Sequence, residues 1–334
     1  MESLGVLEWA IAAGAPVQNR KGFRLVAVTG SLEMFQYAAS LHWHWDYQMM
    51  DALAKHRHLE VLRWALGNGY HSGYGAFEIA ARHGHLEVMK CLVDCDDLPV
   101  DDMPADDAQR ACVAAAHGGH VRALRWLREQ GCAWHADICV AAAIGGEVEC
   151  LQYARADNCP WDERTCEAAA GRTLEAFFVD ALPGGSPAML RWAHENGCPW
   201  DQRTCNAVAA FGQLESLQYA HLHGCEWDEA TSIQATKHGH VDVLTWAHDH
   251  GCPCTEDTFH MAAHAGHIDV LDYLHSKGPW VASFFLSRGA FLSTSIRDTV
   301  RYNLRPCPLS LRIVKEVLSW ARSKGYTVGF EPEA

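Results

Sequence analysis

Gly119-His120-Val121-Arg122-Ala123-Leu124-Arg125-Trp126-Leu127, followed by Gly131-Cys132-Ala133-Trp134, is a segment that the chain repeats. The same frame runs from Gly146 to Trp161, Gly185 to Trp200, Gly212 to Trp227, Gly239 to Cys254 and Gly266 to Gly278. Upstream it starts at Gly30, Arg57 and Gly84. One residue of each unit marks the period: Tyr37, Trp64, Cys91, Trp126, Tyr153, Trp192, Tyr219, Trp246 and Tyr273. The spacing is 27 residues, with two longer gaps of 35 and 39. Trp9 and Trp320 stand at the same position in degenerate end units. Self-similarity at a fixed short period is the signature of a solenoid, in which each unit buries its apolar face against its neighbours.

Each unit reads as two short helices. In Thr204-Cys205-Asn206-Ala207-Val208-Ala209-Ala210, the residues Cys205, Val208 and Ala209 fall at i, i+3 and i+4, one helical face. Their small size permits close helix approach. Thr165, Thr204, Thr231 and Thr258 are the expected N-caps of the first helices. Gly212 ends the first helix of its unit, and Leu214, Leu217, Tyr219 and Ala220 give the second a broad apolar face. Gly224 and its equivalents Gly131, Gly197, Gly251 and Gly278 suit a left-handed C-cap.

These units resemble ankyrin repeats. Phe259-His260-Met261-Ala262-Ala263-His264-Ala265-Gly266-His267 is similar to the first helix and turn of that family, and most units keep the family's spacing of turn glycine, apolar helix and closing glycine. The resemblance covers residues 1–280 and extends to 309–326. Thr-Cys or Thr-Phe stands where the family has Thr-Pro-Leu-His, and the unit is about six residues shorter than the usual period of 33. The missing residues belong to the family's β-hairpin, and the four or five left at each junction are too few for two paired strands. The expected fold is therefore all-α: a helix-turn-helix solenoid of about ten shortened 27-residue ankyrin-like repeats with little or no hairpin. The Gly-Cys-Pro-Trp-Asp form of the unit resembles ankyrin arrays of giant DNA viruses, algae and oomycetes.

Residues 1–280 are expected to form the array, with irregular insertions at 94–107 and 165–185, and residues 281–334 to form capping helices with a degenerate last repeat. The Asp-rich 94–107 reads as a solvated loop, since the Gly and Glu of a calcium loop are missing. In 165–185 the extra residues Thr173-Leu174-Glu175-Ala176 lengthen or kink a first helix.

The 334 residues carry 27 Lys+Arg against 41 Asp+Glu, a net charge of −14, and 49% are apolar, so the chain is not disordered by composition. The acidity argues against nucleic acid as a partner, which requires a cationic face. Residues 278–324 are the exception at +6 against −20 for the remainder. No apolar stretch reaches the length of a membrane span, and the start Met1-Glu2-Ser3 has no secretory character. Fourteen cysteines without a signal suit reduced thiols and a cytoplasmic location, the host cytoplasm for a viral chain, with the nucleus also compatible.

No catalytic or cofactor-binding residues are expected. The turn histidines (His85, His120, His240, His267) recur once per unit, which suits a turn hydrogen bond better than a general base, needed only once. A zinc-binding or metal-dependent module is the alternative function, its best local set being His248, His250, Cys252, Cys254 and His260. The repeat register accounts for most of these, so no metal ligand is assigned. The cysteine pairs 132/139, 159/166 and 198/205 share a seven-residue spacing that the repeat enforces. The helix aromatics are expected to stack in the core.

The expected function is a non-catalytic scaffold or adaptor, monomeric, binding another protein on the concave repeat surface. The ankyrin resemblance implies protein–protein interaction. The contact stripe follows from the register. The residue after the buried face, Ala210 in one unit, is Arg82, His117, Ile144, Lys237 and His264 in others. The loop tryptophans Trp134, Trp161, Trp200 and Trp227, with Trp45 in the same loop register, either pack against the adjacent loop or flank that stripe as apolar anchors, and are candidate partner contacts.

Overall fold

The computed structural model describes residues 2–14, 20–43, 47–71, 73–95, 105–171, 186–277 and 308–325. Among the described residues there are twenty helices and no strand. The chain forms two compact units, Met1–Thr165 with Phe178–Gly185, and Cys166–Phe177 with Ser186–Ala334.

In unit 1 the first helices are α2 (Arg20–Thr29), α4 (Tyr47–Lys55), α6 (Tyr74–Arg82), α8 (Ala105–His117) and α10 (Ala136–Gly145). They pack one on the next as an inner row. The outer row is α1 (Glu2–Ala12), α3 (Leu32–Ser40), α5 (Leu59–Gly67), α7 (Leu86–Cys95), α9 (Val121–Glu129) and α11 (Val148–Ala156). The helix α12 (Glu163–Ala170) carries the division between the units. Unit 2 has α14 (Gln202–Ala210), α16 (Glu229–Lys237) and α18 (Glu256–Ala265) in its inner row. Its outer row is α13 (Pro187–Glu195), α15 (Leu214–Leu222), α17 (Val241–Asp249), α19 (Ile268–Lys277) and a last helix, α20 (Pro308–Ser323), packed on α19. Each unit is thus a helical-repeat solenoid.

The inner rows pack more densely than the outer ones because their facing residues are small. Ala80, Ala81, Ala115, Ala116, Ala142, Ala143 and Cys139 are fully buried in unit 1, and Cys205, Val208, Ala209 and Ala235 in unit 2. A short contact side chain brings two helix axes close, and close packing multiplies dispersion contacts.

The N-caps differ from the sequence expectation. Asp201 and Asp228 cap α14 and α16, their carboxylates accepting from the Arg203 and Ala230 N–H, both at 2.9 Å. Asp162 accepts from the Arg164 N–H at 3.1 Å at the start of α12. The threonines stand further inside, and Thr165, Thr204, Thr231 and Thr258 are all fully buried. A carboxylate suits the first turn better because it also meets the positive end of the helix dipole. The Asp-rich segment is likewise corrected at its edge: α8 starts at Ala105, so Asp106 and Asp107 occupy the first turn of a helix rather than a loop.

The glycines agree with the register. Gly131, Gly197, Gly224 and Gly251 have φ of 90°, 82°, 81° and 91°. The segments 96–104, 172–185 and 278–307 lie outside the described residues, and with them Thr173–Ala176, Gly278, the expected boundary at 280 and four arginines of the basic end. Trp45 lies outside them too.

Candidate interaction surface

The inner helices end, and the outer helices begin, at one edge of each unit. The turn histidines hold that edge together, with a geometry the sequence reading missed. Each bonds not within its own turn but to the end of the preceding unit's first helix, 30 residues back in four cases and 38 in that of His120. His58 Nε2 lies 2.9 Å from the Val28 carbonyl, His85 Nε2 3.1 Å from that of Lys55, His240 Nε2 3.1 Å from that of Ala210, and His267 Nε2 3.1 Å from that of Lys237. His120 bonds the Arg82 carbonyl in the same way. A carbonyl only accepts, so Nε2 carries the proton in each case. These carbonyls lie in the last turn of a helix, where the helix itself leaves them without partners. The imidazole satisfies one and ties two units together.

This explains the glycine before the histidine. A Cβ at Gly212 would lie 2.5 Å from His240 Nδ1, and one at Gly84 2.5 Å from His120 Nδ1. The turn glycine provides the left-handed backbone and also the space into which the next unit's ring fits.

The stripe residues sit along this edge. Arg82, His117 and Ile144 are half-buried at the ends of α6, α8 and α10 in unit 1. Lys237 and His264 are exposed at the ends of α16 and α18 in unit 2. Ala210 is 6% exposed, which corrects the expectation that it faces solvent. One residue earlier, the position is uniformly small and buried: Ala81, Ala116, Ala143, Ala209, Thr236 and Ala263.

The loop tryptophans lie elsewhere. Each precedes the start of an inner helix, while the stripe residues close those helices about 13 Å away, at 1.5 Å per residue. The two sets occupy opposite ends of the helix pairs, so the tryptophans do not flank the stripe. Three of them pack an edge against the helix aromatic of the following outer helix. Trp134 meets Tyr153 at 6.0 Å, Trp200 meets Tyr219 at 6.1 Å and Trp227 meets Trp246 at 5.8 Å. Their flat faces are covered by the residue six positions earlier. Arg128 lies 5.2 Å over Trp134 and Arg155 4.0 Å over Trp161, while His194 stacks on Trp200 at 3.7 Å and His221 on Trp227 at 3.9 Å. Asp157 accepts from Arg128 Nε at 2.9 Å and from Trp134 Nε1 at 2.7 Å. These two donors hold its carboxyl below the usual range. The helix aromatics Tyr153, Trp192, Tyr219, Trp246 and Tyr273 are half-buried, a correction to the expected core stacking. The cores are filled instead by Leu, Ala, Val and Cys, with Met49, Met50 and Phe35 in unit 1 and Phe259 in unit 2.

The cysteines pair differently from the seven-residue spacing. Cys112 hydrogen-bonds Cys132, Cys139 bonds Cys159, Cys166 bonds Cys198 and Cys205 bonds Cys225. Three of these pairs are 20 residues apart and the other 32, each joining a first helix to the loop that follows the second helix of its own unit, Gly-Cys in three cases and Asn158-Cys159 in the fourth. Cys252 pairs in that register with Ser232 Oγ at 3.1 Å. In the set considered for zinc, His248 and His250 are turned to separate partners, while Cys252 and Cys254 both bond Ser232 Oγ, at 3.1 and 3.6 Å. His248 Nδ1 lies 3.0 Å from Tyr273 Oη, and His250 Nδ1 2.8 Å from the Trp246 carbonyl. Among the described residues no three His, Cys, Asp or Glu side chains are grouped to hold a metal ion.

A family model described as ankyrin repeats (many copies) matches residues 50–93, the stretch containing α5, α6 and most of α7. None of the curated proteins compared matches the chain. Among solved structures, the pentatricopeptide repeat protein PPR10 from maize is 20% identical, with a TM-score of 0.34, over 84% of this chain and 49% of that one. PPR10 in complex with an 18-nt psaJ RNA element is 14% identical, with a TM-score of 0.29, over 97% of this chain and 56% of that one. The chain thus spans about half the length of these helical-repeat chains. The exclusion of nucleic acid on net charge is withdrawn, and two of the similar structures are of a protein in complex with an 18-nt RNA element. The physical reason is that −14 is a sum over the chain and conceals local cationic turns such as Lys55–His58 and Arg82–His85. No helix among the described residues is long and apolar enough to cross a membrane.

Proposed function

We propose that the chain is a non-catalytic scaffold that binds another protein along the edge where the inner helices end, using Arg82, His117 and Ile144 in unit 1 and Lys237 and His264 in unit 2. One observation carries this reading. At that edge the accessible residue changes character from unit to unit, while the residue before it stays small and buried. Packing constrains the inward position and leaves the outward one to serve recognition. The ankyrin repeats matched at 50–93 support the same function, since an exposed row of helix ends offers an extended contact surface instead of a closed cleft. The shortened, hairpin-free unit supports placing the whole array with short-unit ankyrin proteins.

Trp134, Trp161, Trp200 and Trp227 serve on this reading to fasten the loops, because each has a face covered by Arg or His from its own unit. Affinity capture with the full chain, compared with Lys237→Glu/His264→Glu, tests the assignment. The double variant is expected to lose its partner by about tenfold or more, near 1.4 kcal/mol, with its thermal midpoint unchanged. Normal binding by that variant, together with loss on changing Lys315 and Lys324, moves the contact to the C-terminal end.

A further inference from the structure

We infer that three turns of unit 1, residues 55–58, 82–85 and 117–120, form a cationic track that binds an acidic, extended peptide segment of a partner protein, and binds it more tightly as the pH falls from 7.5 to 6. The inference rests on the scaffold reading and adds to it the class of partner and a mode of regulation.

The three turns read Lys-His-Arg-His, Arg-His-Gly-His and His-Gly-Gly-His. Their twelve residues hold three Lys or Arg, six His and no Asp or Glu, on a chain whose net charge is −14. The next turn, Ile144-Gly145-Gly146-Glu147, ends the track with an acid. Lys55, His56, Arg57 and His83 are exposed, and His58, Arg82, His85, His117 and His120 are half-buried.

The neighbouring carboxylates leave most of this charge uncompensated. Glu78 of α6 lies 3.5 Å from Arg82 and 3.7 Å from Arg110. Glu87, in the first turn of α7, is 3.4 Å from Lys90, and Glu60 stands in the first turn of α5. Glu147 reaches His120 from the turn beyond. Around His83 the charged neighbours are all basic. Burial lowers its imidazole below the ordinary range, and His85, Lys55, Arg82 and His120 lower it further. Burial likewise lowers His56, followed by His58, Lys55 and His85. A bound carboxylate would reverse these effects by favouring the imidazolium. Binding then takes up protons, and affinity rises as the pH falls through the range where histidine titrates.

The rings can gain that proton in place. His56 and His83 stand outside the hydrogen bonds that link the units, which His58 and His85 make, so a proton gained on either ring breaks none of those links. Packed helices place successive turns about 8–10 Å apart. Three residues of a polyproline II chain make one full turn, rise about 9 Å and return the side chain to the same face. A peptide with an acidic side chain at every third residue therefore meets one turn after another. A peptide fits better than single-stranded nucleic acid, because the twelve residues include no Trp, Tyr or Phe on which bases would stack.

The test uses a fluorescein-labelled 15-residue peptide with Glu at every third position and Gly or Ser between, titrated with the full chain at low salt and read by anisotropy. The peptide is expected to bind at least about tenfold more tightly at pH 6.0 than at pH 7.5. Its Glu→Gln counterpart should not bind. His56→Gln/His83→Gln removes two rings that take no part in the links between units, so the thermal midpoint should hold while the pH effect shrinks to about threefold or less. Equal affinity at both pH values, or a full pH effect in the double variant, overturns the regulation but leaves the scaffold reading intact. No binding at either pH overturns the track itself, and the unit 2 variants above then decide the scaffold reading separately. Displacement of the peptide by a uridine-rich 15-mer RNA at lower concentration overturns the choice of occupant.

Discussion

Replacing Gly212 by Ala separates two roles that the turn glycine plays at once. Its φ is 68°, a left-handed conformation that costs an L-residue about 1–2 kcal/mol. The new Cβ would also fall 2.5 Å from His240 Nδ1, so the ring must swing away from the Ala210 carbonyl, 3.1 Å distant. Losing that hydrogen bond adds about 1 kcal/mol, giving roughly 2–3 kcal/mol in all. Gly224 is the control: its φ is 81°, and a Cβ there meets nothing within 4 Å. Gly224→Ala should therefore cost only the backbone contribution, about 1–2 kcal/mol. In Gly212→Ala/His240→Ala the ring is gone, so the pair should cost about 1 kcal/mol less than the sum of the single changes. Urea unfolding followed by circular dichroism at 222 nm measures the parent, the three single variants including His240→Ala, and the double variant. Equal costs for the two glycine changes, or strict additivity in the double variant, would refute the interlock between turn glycine and following histidine.

Other consequences follow from the same geometry. A valine at Gly197 or Gly224 should cost more than alanine, by a further 1 kcal/mol or so, because a β-branched side chain is the most strained at positive φ; equal midpoints for the two substitutions would contradict this. Burial pushes the Cys150 thiol up to about 12 and the Cys252 thiol up to about 11, so both should resist iodoacetamide at pH 8 in the folded chain and react once it is unfolded. Rapid labelling without unfolding would show the core to be open. Asp157 titrates below its usual range because Arg128 and Trp134 bond its carboxylate. Its contribution to stability is therefore present above about pH 4 and lost as the pH falls through the lowered value. Asp157→Asn should thus be less stable than the parent at pH 7, the difference vanishing as the pH falls through the lowered value; a difference constant from neutral to strongly acid pH would rule out the charge-assisted bonds.

Periodicity made the helices legible in the sequence, and small residues at i, i+3 and i+4 identified the buried face that contains Cys205, Val208 and Ala209. The left-handed glycines followed from their place after each helix. Interactions between elements were not legible from local rules. Thr204 lies where an N-cap was expected, but Asp201, three residues earlier, both caps the helix and meets its dipole. The histidines after the turn glycines bond carbonyls one repeat plus a turn back, 30 residues for His85, His240 and His267 and 38 for His120, which only stacking reveals. The thiol pairs could have been found from the 20-residue separations 112/132, 139/159 and 205/225, which recur as faithfully as the seven-residue ones that drew attention. The loop tryptophans were placed beside the stripe because both recur once per unit, yet a nine-residue helix separates the two ends. A shared period gives no information about which end of a helix a residue occupies.

The most direct test of the account is amine cross-linking of the full chain to a captured protein partner, followed by mass spectrometry. The edge assigned here carries Lys55 in unit 1 and Lys237 in unit 2, both exposed, while Lys315 and Lys324 lie on and just beyond α20. Cross-links from Lys55 or Lys237 to the partner are the predicted result. Cross-links confined to Lys315 and Lys324 would contradict the claim that the ends of the inner helices form the binding surface.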